Sequence, residues 1–446
     1  MKNYIIFFLI FTQTIQFIYS QNPDTLTKLP FYISNVKQLD SLELAEKKEG
    51  TFVTGIPDIS IDPLNGFGLG AEGAITFNGK RANPFFDYTP YLTKIDIAIF
   101  NTSNKQRELI ITLDKPYIFK SKWRLRGELA YEINPNLVYF GLTDNTLNNL
   151  ATISQQDNIP QSPFTGSSYN DYENSLTGDD LNFNTYTKEE YIANISGEYS
   201  LLDSKLRFIV GGELARLNIT TVNDTLSRIQ KDKKNNNLLG VGKSTITFFQ
   251  LGVVYDTRDF EPDPNRGIFA EITNEFSNHI LGSVFNMDKL FAQVKFYKKL
   301  FPNKLKKMVF ASRFGIGYTF GNAPFFEYQD EWSSEGSIEG LGGAHTIRGY
   351  KQSRFLDRGM YFFNTEIRTR FARITVLKQN LTFSVVPFFD FGSVYQKLDK
   401  AFNLNRIKYS EGLGLRIAWN SSTILRFDYA LSKEDKQFFF TFGQAF

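Results

Sequence analysis

The sequence of 446 residues contains no cysteine and only two histidines, His279 and His345. Without cysteine a disulfide scaffold is excluded, so stability must come from a large sheet or core. Neither histidine lies in a nucleophile or metal motif, which leaves imidazole-based catalysis without a candidate centre. We therefore predict that the protein is not an enzyme and needs no cofactor.

Neither sign of charge predominates, since the sequence has 50 Lys and Arg, 47 Asp and Glu, and a net charge of +3. No basic stretch stands out, which argues against a nucleic-acid partner. Acidic residues do collect in the segment 134–187, where Asp171, Glu173, Asp179 and Asp180 are candidates for binding a divalent cation. Their spacing matches no known ligand pattern and a solvated loop surface is the simpler interpretation, so no metal site is predicted.

Long hydrophobic runs are absent beyond the first residues. Lys2 precedes an apolar run over 4–11 and a small residue follows at Ser20, a pattern typical of a secretory signal peptide over 1–20. No later stretch approaches the ~20 consecutive apolar residues of a transmembrane helix. The chain is predicted to leave the cytoplasm, and the polar residues 21–50 to form a short periplasmic segment.

Aromatic residues are abundant, at 16% of the chain with 45 phenylalanines. From residue 51 onward, segments of about ten residues alternate between apolar and polar side chains and are separated by turns. A soluble β-sandwich shows similar alternation, but aromatic side chains on the apolar face suit a membrane interface. Sixteen such segments can be counted. We predict an all-β fold, a sixteen-stranded antiparallel transmembrane β-barrel over residues 51–446.

Loop lengths agree with this strand count. If the N-terminal end is periplasmic, the long loops 134–187, 220–243 and 321–358 all follow odd-numbered strands and lie outside the cell. The last of them is then the sixth extracellular loop. An even number of strands also allows the sheet to close without unpaired edges.

Four motifs resemble those of one superfamily of bacterial outer-membrane barrels, the 85-kDa outer-membrane proteins or bacterial surface antigens. This superfamily includes the assembly protein BamA, the translocation protein TamA and two-partner secretion transporters. The motifs are TIRGY at 346–350, FNTEIR at 363–368, FFDFGSVY at 388–395 and FFFTFGQAF at 438–446. The resemblance spans nearly the whole mature chain and implies a Gram-negative outer membrane, with lipid bilayer and lipopolysaccharide as surroundings.

The resemblance further implies that the sixth loop folds into the barrel and is locked there. Its tip consists of Ile347, Arg348, Gly349 and Tyr350. A buried guanidinium is costly unless its donors meet carboxylates. Glu366 and Asp390 lie on the two following strands and can both point inward, and the resemblance implies that they are the partners. The alternative is a mobile surface loop with a solvated Arg348.

The two ends of the sheet are the second candidate site. Phe438, Phe440, Phe442 and Phe446 share one parity on the expected last strand, which resembles the signal read by the outer-membrane assembly machinery, and Gly443 is expected to kink it. In the first strand Pro57 removes a hydrogen-bond donor, so pairing between first and last strands is expected to be short. Equally, Pro57 can simply mark where the first strand begins.

Members of the superfamily carry periplasmic POTRA domains before the barrel, and residues 21–50 are too few for one. The chain thus resembles a branch without POTRA domains, and we predict a periplasmic or lipoprotein companion. The predicted function is assembly and insertion of outer-membrane proteins, or protein translocation, through a lateral seam, with substrate proteins as further partners. The alternative is a passive channel or a structural barrel that holds surface or periplasmic partner proteins.

Overall fold

A computed structural model describes residues 28–39, 44–45, 47–62, 65–142, 144–156, 166–222, 227–236, 238–301, 308–376, 379–419 and 423–446. The predicted signal peptide, 1–20, lies outside these residues. Within the described part, no helix is long and apolar enough to cross a membrane.

Sixteen strands form a single antiparallel sheet in which each strand pairs with its neighbours in the chain. They are β1 Gly50–Asp62, β2 Gly66–Gly79, β3 Thr93–Thr102, β4 Arg107–Lys115, β5 Trp123–Val138, β6 Thr185–Leu201, β7 Leu206–Thr220, β8 Gly242–Asp256, β9 Gly267–Ser277, β10 Met287–Leu300, β11 Met308–Gly321, β12 Gly359–Val376, β13 Gln379–Tyr395, β14 Lys408–Trp419, β15 Thr423–Leu431 and β16 Lys436–Phe442. The predicted number of strands and the barrel fold are confirmed.

Helices are few and short, and most lie in loops. The α-helices are α1 Asp144–Leu147, α2 Leu150–Gln156 and α3 Tyr169–Ser175 in the third extracellular loop, and α4 Arg228–Asn236 in the fourth. Short 3-10 segments occupy Asn35–Lys37, Ile118–Lys120, Gly178–Asn182, Leu202–Ser204, His279–Leu281, Phe325–Gln329, Leu398–Lys400 and Leu404–Arg406. Two further two-residue strands, Asp330–Glu331 and Ile338–Glu339, pair with each other inside the sixth loop.

Alternation along each strand separates a lipid-facing surface from the lumen. In β12, Glu366 and Arg368 are 0% and 4% exposed, whereas Ile367 and Phe371 are 38% and 55% exposed. An exposed apolar face on a strand whose other face buries charges is the arrangement that a bilayer requires. The charged face of β12 therefore points into the barrel.

The sixth extracellular loop fills that interior. Its side chains Leu341, Ile347 and Phe355 are fully buried and pack against Phe291 of β10 and Phe362 of β12. Burial of several large apolar side chains stabilises the inward fold by roughly 1.5–3 kcal/mol each. The loop is thus part of the core of the protein.

Residues 28–39, which we call the periplasmic strap, lie across the opposite mouth of the barrel. The amide of Ser34 donates to the main-chain oxygen of Asp203 (3.0 Å) between β6 and β7, and the amide of Leu39 donates to that of Asp87 (2.9 Å) between β2 and β3. Between them, the ammonium group of Lys37 lies 2.9 Å from a carboxylate oxygen of Asp256, at the end of β8. The strap therefore spans the mouth from one side of the sheet to the other.

A cysteine pair tests the position of the strap, since the native chain has no cysteine to compete. We expect Ser34→Cys/Asp203→Cys to form a disulfide in the folded protein, because a main-chain hydrogen bond already holds these two positions together. Non-reducing electrophoresis after a protease cut between them measures it. Ser34→Cys/Val284→Cys, whose second position lies in the fifth extracellular loop, is the control. Equal cross-linking in both variants contradicts the docked strap.

Candidate functional site

Arg348 lies in the lumen and is 1% exposed. Its Nε and Nη2 donate to the two oxygens of Asp390 on β13 at 2.7 and 2.8 Å, a bidentate pair. Its Nη1 donates to Glu366 of β12 at 2.7 Å and to Asp428 of β15 at 3.1 Å. The guanidinium carbon also lies 3.6 Å from the centre of the Phe388 ring. One side chain thus joins the sixth loop to three strands of the wall.

Burial and charge oppose each other at this residue. Burial by itself lowers the pKa of Arg348, but contact with Asp390, and then with Glu366 and Asp428, outweighs it and raises the pKa well above its usual value. The side chain therefore carries its positive charge at every pH at which the protein is folded. A cation that cannot be neutralised makes its carboxylates indispensable.

Local backbone geometry explains why the tip of the loop has this sequence. Gly349 has φ +94°, and a Cβ atom there would lie 3.1 Å from the main chain of Leu431 in β15, so both conformation and space require glycine. The hydroxyl of Thr346 donates to the main-chain oxygen of Gly340 at 3.0 Å. Asn364 of β12 donates to the main-chain oxygen of Thr346 and to Asp390. Arg348 is therefore presented from a fixed turn.

The two residues beside Arg348 and Gly349 are anchors for the same turn. Ile347 is completely buried among apolar side chains of the loop and of β12. Tyr350 packs edge-on against Phe355 (ring centroids 5.1 Å apart), and its hydroxyl donates to the main-chain oxygen of Tyr409 at 3.3 Å. Both increase the apolar area that holds the loop inside the barrel.

Sequence reasoning missed the third carboxylate of the site and its additional cations. Asp428 accepts from Arg348 and also pairs with Arg416 of β14 and Arg426 of β15. Glu366 in turn pairs with Arg368 and Arg416. The strand alternation does place Asp428 on the lumen side, together with Arg426 two residues earlier. No motif distinguishes Asp428 from the other charged residues of the lumen.

A second anchor of the sixth loop, also missed, lies toward the outside. Arg354 is 1% exposed and pairs with both oxygens of Glu434, in the turn between β15 and β16. Its Nη1 donates to the main-chain oxygen of Thr146 in α1 at 2.9 Å. This guanidinium thus connects the sixth loop, the third loop and the last hairpin.

The second candidate site is the seam between the two ends of the sheet. Among the described residues, β1 and β16 stand at the two ends of the series of paired strands. β1 begins at Gly50, so the interpretation of Pro57 as the start of the strand is wrong; Pro57 lies mid-strand opposite Ala71 of β2. A side-chain contact does cross the seam, between the hydroxyls of Thr54 in β1 and Thr423 in β15, 3.2 Å apart.

The expected last strand over 438–446 is shorter in the structure and ends at Phe442. Gly443 has φ +80° and turns the chain away from the sheet. Phe446 is only 7% exposed, its main-chain oxygen accepts from Arg368 at 2.9 Å, and its ring packs near Tyr297 of β10. The shared parity with the other phenylalanines is therefore broken, because the lumen offers this ring cationic and aromatic neighbours.

The remaining phenylalanines of β16 stay in the wall. Phe438 is 64% exposed on the outer surface. Phe440 stacks on Phe427 of β15, with ring centroids 4.7 Å apart. Phe442 pairs in register with Leu425 at the end of the strand.

The part of the chain that the structure describes holds no group of three or more His, Asp or Glu placed to bind a metal ion. The main-chain oxygen of His345 accepts a hydrogen bond from Arg313. The ring of His279, in the fifth extracellular loop, lies 2.8 Å from the main-chain oxygen of Ser283. The main chain of His345 thus contacts the wall strand β11, and the ring of His279 contacts its own loop.

Comparison with known proteins finds matches over most of the chain. Residues 65–446 match the Omp85 superfamily domain, and residues 29–92 match a domain of unknown function (DUF5982). Outer membrane protein assembly factor BamA of Nitratidesulfovibrio vulgaris is 25% identical over 288 residues, which are 60% of this chain and 32% of that protein. The chain thus spans about a third of the length of this curated relative.

CdiB and a second BamA are among the solved structures that resemble the chain. CdiB from Escherichia coli matches with a TM-score of 0.50 and 11% identity, over 89% of this chain and 62% of that one. BamA from Haemophilus ducreyi lacking POTRA domains 1-3 matches with a TM-score of 0.49 and 16% identity, over 89% and 70%. The likeness to CdiB concerns the fold alone.

Removal of the central cation tests its structural role. We expect Arg348→Ala to lower the free energy of unfolding by about 3–5 kcal/mol, because it leaves buried carboxylates unpaired. Asp390→Ala should act in the same direction, and the double variant should lose less than the sum of the two. Heat-modifiability in gels and urea unfolding in detergent micelles measure this, with protease resistance of the sixth loop as a local probe.

The matched control is Arg266→Ala, whose side chain is 66% exposed and 3.9 Å from its nearest carboxylate. It should unfold like the native protein. Unchanged stability and an unchanged protease pattern in both Arg348→Ala and Asp390→Ala would show that this ion pair does not hold the loop.

Proposed function

The chain belongs to the Omp85 superfamily, and from that premise we propose that this outer-membrane barrel inserts or translocates other proteins through the seam between β1 and β16. The observation that carries the proposal is the position of these strands at the ends of the series of paired strands, within the part of the chain described. At each of the other junctions of the wall, two neighbouring strands pair as an antiparallel ladder. The seam is therefore the place where the wall opens with the least loss of hydrogen bonds.

The lengths of the strands support this choice. β1 has thirteen residues and β16 has only seven, so β16 is too short to cover the whole seam-side edge of β1. Each main-chain hydrogen bond contributes a net ~0.5–1.5 kcal/mol, and a short ladder costs correspondingly little to open. The amide of Gly443 still donates to the main-chain oxygen of Ile424 in β15, and the tail 444–446 then leaves the wall. The side chain of Thr54 contacts Thr423 across the seam.

An open β1 edge offers a recognisable chemistry to a substrate. Unpaired main-chain donors and acceptors bind an extended segment by adding it as a strand. Pro57 lacks a donor in the middle of that edge, which limits how firmly an incoming strand pairs. A weakly bound strand can be released, as a protein that handles many substrates in turn requires.

The contents of the lumen favour this mechanism over a passive channel. The sixth loop fills the interior and is anchored by Arg348 and Arg354. The periplasmic strap covers the opposite mouth through contacts with Asp203 and Asp256. A solute would have to displace both, whereas opening of the seam leaves both in place.

Partners follow from the same proposal. Substrate proteins reach the seam from the periplasm, and we propose that a periplasmic or lipoprotein companion delivers them. The companion would bind near the strap, where the surface faces the periplasm. Pull-down of the intact protein from detergent tests for a stable companion. Depletion of the protein from cells tests the function. Loss of many other barrels from the outer membrane supports insertion, whereas a change limited to solute uptake supports the channel.

A reversible bond across the seam distinguishes an opening barrel from a closed one. We expect Thr54→Cys/Thr423→Cys to cross-link when oxidised, because the native hydroxyls are 3.2 Å apart. The oxidised variant should remain folded but should fail to restore other barrels to the outer membrane in depleted cells, and reduction should restore them. Levels of several unrelated barrels, measured by quantitative proteomics, are the readout.

The control pair, Thr76→Cys/Lys94→Cys, joins two strands that are already paired in register. Its oxidation should leave activity unchanged. Full activity of the oxidised seam variant would rule out lateral opening at this junction.

A further inference from the structure

The outer surface of β1–β4 ends in an ordered row at the periplasmic side. Thr51, Phe77 and Thr93 are successive partners in register across β1, β2 and β3, and Lys115 continues the row on β4. Thr76, the residue before Phe77 in β2, is 3% exposed and points into the lumen. Because successive side chains of a strand point to opposite faces, the row that contains Phe77 faces outward. This is the surface that adjoins the seam.

The next outward row, toward the membrane centre, is entirely aliphatic. Val53, Ile75, Ile95 and Leu113 follow one another in register across the same four strands. Val53 is 56% exposed. The polar boundary of the membrane therefore lies between this row and the row of Lys115.

Two periplasmic turns project beyond the strand ends and form a groove over that boundary. Phe85 from the turn after β2 stacks on Tyr117 from the turn after β4, with ring centroids 4.6 Å apart. The second turn has an unusual backbone, since Tyr117, Phe119 and Lys120 all have φ between +53° and +57°. It holds the Phe119 ring 91% exposed, a position that is favourable where lipid replaces water.

The groove has a volume of about 650 Å³ and is lined by three lysines and no acidic residue. The lysines are Lys80, Lys115 and Lys120. Among the described residues, none of their ammonium groups has an ion-pair partner. Three cations around a groove whose remaining lining is mostly apolar attract an anion that carries hydrocarbon.

We propose that this groove binds an anionic phospholipid of the periplasmic leaflet. The phosphate group lies among Lys80, Lys115 and Lys120, and an acyl chain follows the aliphatic row from Phe77 toward Val53. Lipopolysaccharide does not fit, because it occupies the opposite leaflet. The bound lipid stands beside the free edge of β1, whether or not the seam opens, so the site is independent of the proposed function.

Native mass spectrometry of the full chain released from nanodiscs tests this assignment. Nanodiscs contain either phosphatidylglycerol or phosphatidylcholine with the same acyl chains. We expect the native protein to retain phosphatidylglycerol preferentially, and Lys80→Gln/Lys115→Gln/Lys120→Gln to retain it at least about tenfold more weakly, since each lysine near an anionic lipid contributes to binding. Heat-modifiability verifies that the variant is folded.

The control is Lys298→Gln/Lys299→Gln, which removes two exposed lysines at the periplasmic end of β10, away from the groove. It should retain phosphatidylglycerol like the native protein. Equal retention of the two lipids by the native protein would overturn the proposal. So would native-like retention by the triple variant, or an equal loss in the control, which would indicate general attraction by charge rather than a site.

Discussion

The structure depends on the burial of one guanidinium. Removing Arg348 from water costs several kcal/mol, and only direct contact with carboxylates offsets that cost. The three carboxylates come from β12, β13 and β15, which are separated in sequence but face one point of the lumen. The contact therefore forms only when the sheet has curved into a barrel and the sixth loop has entered it. Folding of the wall and insertion of the loop are coupled by this one side chain.

The same arrangement bears on the proposed opening of the seam. Anchors at Arg348 and Arg354 fasten the sixth loop to the strands that precede the seam and to the last hairpin. The strap ties the periplasmic turns together at the other end. The interior and one mouth are held in this way, whereas β1 and the short β16 end the series of paired strands in the described part of the chain. Opening of the seam, as proposed above, would move only the edge that faces lipid.

Much of the wall was predictable because strand periodicity is local. Alternation with a period of two identified the strands, and in β12 it assigned Glu366 to the lumen and Phe371 to lipid. Asp428 could not be predicted as a partner of Arg348, because the two residues are 80 positions apart and meet only when their segments converge in the barrel. The course of Phe446 was misjudged for a similar reason. The position of Phe446 fits the alternation of a strand, but Gly443 permits a turn. Arg313 and Arg368 then hold the Phe446 ring inside the lumen.

The sequence by itself determined the class of fold, the number of strands and the identity of the buried cation, because each follows from local spacing or from a short motif. Only the tertiary structure decided that a third carboxylate, that of Asp428, also binds this cation, where β16 ends and that residues 28–39 cover the periplasmic mouth. These features depend on contacts between segments far apart in the chain. No local pattern encodes such contacts, since they exist only once the curvature of the sheet has brought the segments together.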